Sequence, residues 1–235
     1  MAGNTNTNTV IITGSNRGIG LALAAEYHAA GWNVIAAARN PSTATELHAL
    51  NVYKTIQLDV ADEASILRAA QDLSGEAIDL VINNAGILHN NTFLTETKAH
   101  LAHTYEVNVI GPFLVSRAFL PHLKAAVANK GSAKLIQISS TVGSIALNNG
   151  GWGTPNYRAS KSALNQLNML ITHEIKNDNI ATAVLCPGYV DTTLNGNTGV
   201  LKTSESAAAV VKVIAKVTLA ETGKFFSHEG KELPW

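Results

Sequence analysis

Tyr157 and Lys161 stand four residues apart in the run Tyr-Arg-Ala-Ser-Lys. On a helix, that spacing puts both side chains on one face, where an ammonium can hold down the pKa of a phenol. Such a phenol can donate a proton to a developing alkoxide, or take one from an alcohol in the reverse direction. A tyrosine and a lysine on a half-exposed helix would share the spacing, so the meaning of the pair depends on the segments that position it.

The first of these is T-V-I-I-T-G-S-N-R-G-I-G, residues 9–20. An apolar run too short for a helix leads into a glycine turn, and residues 21–30 read as a helix with polar interruptions at Glu26 and His28. Strand, glycine turn and helix are the setting of a dinucleotide-binding fingerprint. Gly14 permits the tight turn, Gly18 lets the backbone approach a pyrophosphate, and Gly20 allows close helix packing. Ser15, Asn16, Arg17 and Ile19 complete the loop, with the first helical amides facing the anion.

The second strand ends in Ala-Arg-Asn-Pro. Folds that prefer the unphosphorylated cofactor place an acid about 20 residues after the fingerprint, where it accepts from the adenosine ribose. That position is Ala38, followed by Arg39. An acid there would repel a 2′-phosphate, whereas Arg39 can pair with it and Arg17 adds a second charge. The pattern favours NADPH over NADH.

Further segments fall at strand ends. Asp59 can accept from an adenine amino group with Val60 beneath the ring, or can cap a following helix. The small residues of Asn83-Asn84-Ala85-Gly86 leave room for a ribose, or make a simple turn. Asn108 interrupts an apolar helical run, and its amide needs a water or a neighbouring backbone group. Ser139 and Ser140 close one strand on opposite faces, so at most one faces a substrate. Pro187 and Gly188 terminate another, and the Val190 backbone and Thr192 hydroxyl are placed to hold a carboxamide.

Strands are expected at 10–13, 33–37, 53–57, 80–83, 133–139, 181–186 and 224–226, and helices at 18–30, 42–49, 63–73, 98–124, 157–176 and 203–216. The alternation predicts an α/β, Rossmann-type doubly wound fold: three α/β/α layers around a mostly parallel seven-stranded sheet. With 235 residues, 46% of them hydrophobic, the chain suffices for one large core, read as a single domain over 9–235 after a polar tail at 1–8. Seventeen basic residues balance seventeen acidic ones, which argues against nucleic acid as a partner. The tail has neither the basic flank nor the apolar core of a leader, and no run nears the roughly 18 apolar residues of a membrane span. One cysteine, Cys186, excludes an intrachain disulfide and suits a reducing, cytoplasmic setting. His48, His89, His100 and His103 lack zinc-ligand spacing, and no metal is expected.

Taken in order, T-G-S-N-R-G-I-G, Asp59-Val60, N-N-A-G, Asn108, the serine pair, Y-R-A-S-K and P-G-Y-V-D-T make the chain resemble the short-chain dehydrogenase/reductase family over essentially its whole length. The resemblance implies Tyr157 as acid/base, Lys161 as its pKa modulator and a ribose ligand, and Asn108 as holder of a relay water. It implies Ser140 as the carbonyl-orienting hydroxyl and Arg39 as the mark of NADP. The gap from Ser140 to Tyr157 is seventeen residues, longer than is usual in the family. Ser144 has the usual spacing but lies beyond the strand end, so Ser140 is preferred with Ser144 as its rival. The extra segment and the ending Gly-Lys-Glu-Leu-Pro-Trp are similar to C-factor-like and sniffer-like carbonyl reductases.

The expected activity is NADPH-dependent reduction of a ketone, aldehyde or quinone on a hydrophobic small molecule. Leu88, His89, Leu147, Trp152, Tyr189 and Leu194 are candidate pocket walls. NADP-dependent oxidation of a secondary alcohol uses the same machinery in reverse, and a non-catalytic, redox-sensing NADP binder is the alternative from another class. The resemblance further implies a homodimer or homotetramer packed through helices 98–124 and 157–176. Ala159, Ala163, Leu164, Leu167, Met169, Leu170 and Ile171 spread apolar groups around the second of these.

Overall fold

The computed structural model describes residues 7–151 and 153–235. Its seven strands are β1 (Thr9–Thr13), β2 (Asn33–Ala38), β3 (Lys54–Gln57), β4 (Leu80–Asn83), β5 (Ala133–Ile138), β6 (Ile180–Cys186) and β7 (Lys224–Ser227). They form one sheet in the order β3-β2-β1-β4-β5-β6-β7, every neighbouring pair parallel. The helices are α1 (Gly18–Ala29), α2 (Thr45–Ala49), α3 (Glu63–Asp72), α4 (Lys98–Tyr105), α5 (Gly111–Lys130), α6 (Pro155–Glu174) and α7 (Thr203–Lys216). They cover both faces, giving the expected three-layer α/β/α fold.

The strands read as unbroken apolar runs because both of their faces are covered. Val10, Ile12, Val34 and Ile82 pack against Leu23 and Tyr27 of α1 and Val210 and Ile214 of α7. Their alternates Ile11, Ile35, Val81 and Leu135 pack against Ile66 of α3 and Val115, Phe119 and Leu123 of α5. Phe119 is wholly buried, and cutting it to alanine would cost about 3–5 kcal/mol. Thr7 and Asn8 are tied to the fold: the Asn8 carbonyl accepts from the Asn33 amide, and Lys130 Nζ donates to Thr7 O and Asn8 Oδ1. Residues 1–6 of the expected tail lie outside the described residues.

Several boundaries move. The helix expected at 98–124 is two helices, α4 and α5, joined by a π turn over Glu106–Ile110, and it runs on to Lys130. Helix α6 opens at Pro155, whose missing N–H costs nothing in a first turn. It turns many polar groups inward: Asn156, Ser160, Lys161, Asn165 and Asn168 are all buried. After β7 the chain folds back, Leu233 donating to the Phe225 carbonyl and Trp235 stacking on the Phe225 ring. No helix among the described residues is long and apolar enough to cross a membrane.

The sheet order reverses between β1 and β4, whose neighbouring strands run off in opposite directions. Loops leaving the carboxyl ends of such a pair diverge and open a crevice.

Candidate active site

A cleft of about 270 Å³ opens at that switch point. Its walls include Gly14, Asn16, Arg17, Gly18, Ile19 and Gly20 from the first loop, Arg39 after β2, Asp59 and Val60 after β3, and Asn84, Ala85 and Gly86 after β4. Tyr157, Lys161, Pro187 and Thr192 close the other end. Gly14 and Gly18 have φ of +70° and +56°, and a side chain on Gly20 would collide with the Gly14 carbonyl. Only glycines allow this turn to lie so close to the helix it starts. Asn84 Nδ2 fastens the β4 loop to it by donating to the Thr13 carbonyl at 2.9 Å.

The cradle fits a dinucleotide. α1 begins at Gly18 with no side chain capping its first amides, leaving its positive end open to the cleft. Arg17 and Arg39 are exposed on the cleft wall, and neither forms an ion pair among the described residues. Asp59 borders the cleft, but the capping alternative falls to another residue: the N-cap of α3 is Asp62, and Asp59 Oδ1 accepts from the Ala61 amide at 3.0 Å ahead of the helix.

At the far end, Lys161 is 3% exposed and its Nζ donates to the Ile138 carbonyl at 2.8 Å. Burial lowers its pKa from the ordinary 10.5 to about 8. Tyr157 moves the other way: burial, then the neighbouring Cys186 sulfur, push the phenol above its ordinary value, while a hydrogen bond with the Ser140 hydroxyl pulls it down. Burial is the largest influence on the phenol. Desolvation disfavours phenolate and ammonium alike, and the lysine lies over the ring, 5.5 Å from its centre.

The family assignment rests on sequence as well as geometry. The short chain dehydrogenase family model matches residues 8–200. The chain belongs to the short-chain dehydrogenase family. Short chain dehydrogenase gsfK of Penicillium aethiopicum is 34% identical over 252 residues, covering 97% of this chain and 99% of gsfK. The crystal structure of NADPH-bound carbonyl reductase from chicken fatty liver superposes with a TM-score of 0.90 at 36% identity, covering 97% of this chain and 99% of that one. Carbonyl reductase Sniffer of D. melanogaster gives 0.91 at 28%, covering 98% and 100%. The protein is accordingly an oxidoreductase.

In this short-chain dehydrogenase, Asn108 sits on the π turn and is fully buried. Its Oδ1 accepts from the Ile87 amide at 2.8 Å, and its Nδ2 donates to the Ile87 carbonyl and to Ser160 Oγ. The backbone partner anticipated as one alternative is therefore present. A π turn inserts one residue and re-aims a side chain, a device frequent at functional sites. A Cβ on Gly86 would stand 3.3 Å from Asn108 Oδ1 and 3.7 Å from Lys161 Nζ, so the three converge.

The serines have different partners. Just past the end of β5, Ser139 borders the cleft and its Oγ donates to Asn165 Oδ1 at 2.7 Å, while the Ser140 hydroxyl meets the Tyr157 phenol; both partners stand on α6. Ser144 is 1% exposed, donates to the Pro234 carbonyl at 2.7 Å and accepts from the Leu147 amide at 3.1 Å. Both capacities of its hydroxyl are used in anchoring the loop.

Three expected cofactor contacts are not brought to the cleft. Ser15 is buried, its hydroxyl donating to the Ile12 carbonyl and its amide to Ala37. Gly188, at φ +89°, packs where a side chain would meet Leu201 and His228. Val190 is 4% exposed and pairs with Leu201. Thr13, which the sequence reading passed over, accepts from the Asn84 and Ala85 amides and so shapes the crevice. Of the pocket-wall candidates, Leu194 borders the cleft, Leu147 and Tyr189 are exposed and Leu88 is half-buried. Trp152 lies outside the described residues. His89 instead stacks on His100 beside His103, a grouping their spacing does not reveal. Among the described residues, no group of His, Cys, Asp and Glu could hold a metal ion. A larger hollow of about 690 Å³ between α7 and the turn after β7 is remote from this chemistry.

Proposed function

We propose that this protein uses NADPH to reduce a ketone, aldehyde or quinone carbonyl on a hydrophobic small molecule to the alcohol. The observation that carries the reading is Tyr157, at the end of a dinucleotide cradle whose other end displays Arg17 and Arg39, with its phenol in contact with the Ser140 hydroxyl. NADPH, when bound, supplies the hydride that reaches the carbonyl carbon. Ser140 and Tyr157 donate to the carbonyl oxygen as charge develops on it, and Tyr157 Oη–H breaks to deliver the proton. Lys161, as an ammonium, holds the ribose and stabilises the resulting phenolate, and Asn108 holds the water through which the proton is replaced. Likeness to the NADPH-bound chicken enzyme and to Sniffer supports both the cofactor and the carbonyl reductase subgroup.

Burial that keeps the phenol protonated favours this direction at neutral pH. Oxidation of an alcohol runs on the same residues but starts from phenolate, which burial disfavours. The reading includes a cytoplasmic setting, in keeping with one buried free thiol. It is tested by following NADPH loss with ketones, aldehydes and quinones, comparing wild type with Tyr157→Phe. That variant is expected to lose about 10²-fold or more in kcat while still binding NADPH. Near-normal turnover would remove Tyr157 from the mechanism, and NADPH binding without turnover of any substrate by the wild type would favour the redox-sensing alternative.

A further inference from the structure

The segment between β4 and α4 grips the amino end of the catalytic helix. Helix α6 lacks an ordinary cap: Thr154, at the N-cap, has φ +56° and no side-chain bond to the first turn. Glu96 supplies it from 60 positions away, its Oε2 accepting the Asn156 amide at 3.3 Å as well as Asn156 Nδ2. Its Oε1 accepts from the Thr97 amide at 2.9 Å and Asn91 Nδ2 at 3.1 Å. The carboxylate side chain is only 7% exposed. Burial alone would raise its pKa, but the donors of Asn156, Thr97 and Asn91 take it to about 2, so it is a fixed anion at a helix amino end.

Asn156 is fully buried and uses its whole amide in the grip. Its Oδ1 accepts from the His89 amide and Thr104 Oγ1, and its Nδ2 donates to the His89 carbonyl besides Glu96. Two backbone contacts reinforce it. The Thr154 amide donates to the Asn91 carbonyl at 2.6 Å, and a side chain on Gly153 would come 2.7 Å from that same oxygen. The next residue after Asn156 is Tyr157.

We propose that Glu96 and Asn156 are positioning residues for the Tyr157 proton donor, locking the first turn of α6 to the 87–97 loop. The inference rests on the carbonyl-reductase reading. Neither residue borders the cofactor cleft, so the lock acts on the placement of the phenol and not on cofactor binding. Both Glu96 oxygens face donors, so Glu96→Gln sets an amide NH₂ against N–H groups on one side. A small misplacement of a reacting group is costly in rate.

The test compares wild type, Glu96→Gln and the milder Asn91→Ala, with kcat normalised to NADPH-binding sites. Backbone hydrogen exchange over residues 153–161 is measured in parallel. The expected result for Glu96→Gln is a kcat loss of about 10-fold or more with KM and NADPH affinity changed less than about 3-fold, and faster exchange in the first turn of α6. Asn91→Ala should show a smaller loss of the same kind, and carries the test if Glu96→Gln does not fold. A lowered Tm with unchanged kcat per binding site, or unchanged exchange over 153–161, would overturn the proposal, since a merely structural contact gives the first result. If the wild type reduces no carbonyl, the functional reading fails by itself while the exchange data still decide whether the lock exists.

Discussion

Lys161 Nζ lies 5.5 Å from the centre of the Tyr157 ring, close enough to feel its face but bonded to the Ile138 carbonyl. Lys161 is buried and Tyr157 half-buried at the same end of the cleft, and desolvation drives their pKa values in opposite directions. At neutral pH this leaves a protonated phenol beside an ammonium whose proton is held weakly.

A pH dependence follows. Lys161 is an ammonium below about 8 and neutral above it, while the unfolded chain keeps the charge to about 10.5. Between those values the unfolded state binds the extra proton, so wild type should gain stability relative to Lys161→Met as pH rises from about 8 toward 10.5. NADPH affinity should fall over the same range in the wild type and stay flat in the variant. Chemical denaturation and cofactor titration at stepped pH check both. Stability curves that run parallel would show the lysine is not desolvated.

Cofactor choice turns on Arg39. It follows Ala38, which is 2% exposed and offers no acid, and it lines the cleft with Arg17. Arg39→Ala should weaken NADPH by about 1.5–3 kcal/mol, the worth of a charge-assisted pair, and leave NADH nearly unchanged. Equal losses for both cofactors in fluorescence titration would show that Arg39 does not read the phosphate.

Ser140 and Ser144 should separate by readout. Ser140→Ala removes a donor at the developing oxyanion and should cost about 10²-fold in kcat. Ser144→Ala breaks the bond to Pro234 and should cost about 1 kcal/mol of stability, with kcat little changed. A large kcat loss confined to Ser144→Ala would reverse the assignment.

Much of this was legible in the residues, for reasons particular to each. Val10, Ile11 and Ile12 read as a strand because both faces of a parallel sheet are buried, and Gly14, Gly18 and Gly20 marked the crevice because a turn that tight admits nothing larger. The serines have different partners, Asn165 for Ser139 and Tyr157 for Ser140, which alternation alone does not name. The π turn at Asn108 left no trace, since an inserted residue does not disturb an apolar run such as Val107-Asn108-Val109-Ile110. The role of Ser144 depends on Pro234, 90 positions away, and the grip of Glu96 on Asn156 spans 60. Long-range polar pairs of this kind carry no periodicity. Burial was the other hidden quantity: helical spacing shows that Lys161 and Tyr157 share a face, but not that desolvation is the largest influence on both.

Assembly is the last prediction. Around α5 and α6, Leu164 is buried, but Leu170 is 52% exposed, and Ile110 and Phe113 are 42% and 36% exposed. Covering one large apolar side chain is worth about 1.5–3 kcal/mol, so a face carrying several of them favours a partner. We expect a homodimer or homotetramer packed through these helices, as the sequence resemblance implies. Light scattering at micromolar concentration, with and without NADPH, should give a multiple of the 24.7 kDa chain mass. Leu170→Glu should shift that mass toward the monomer by placing a charge in the contact. A monomer mass for the wild type under both conditions would end the assembly proposal and leave the catalytic one standing.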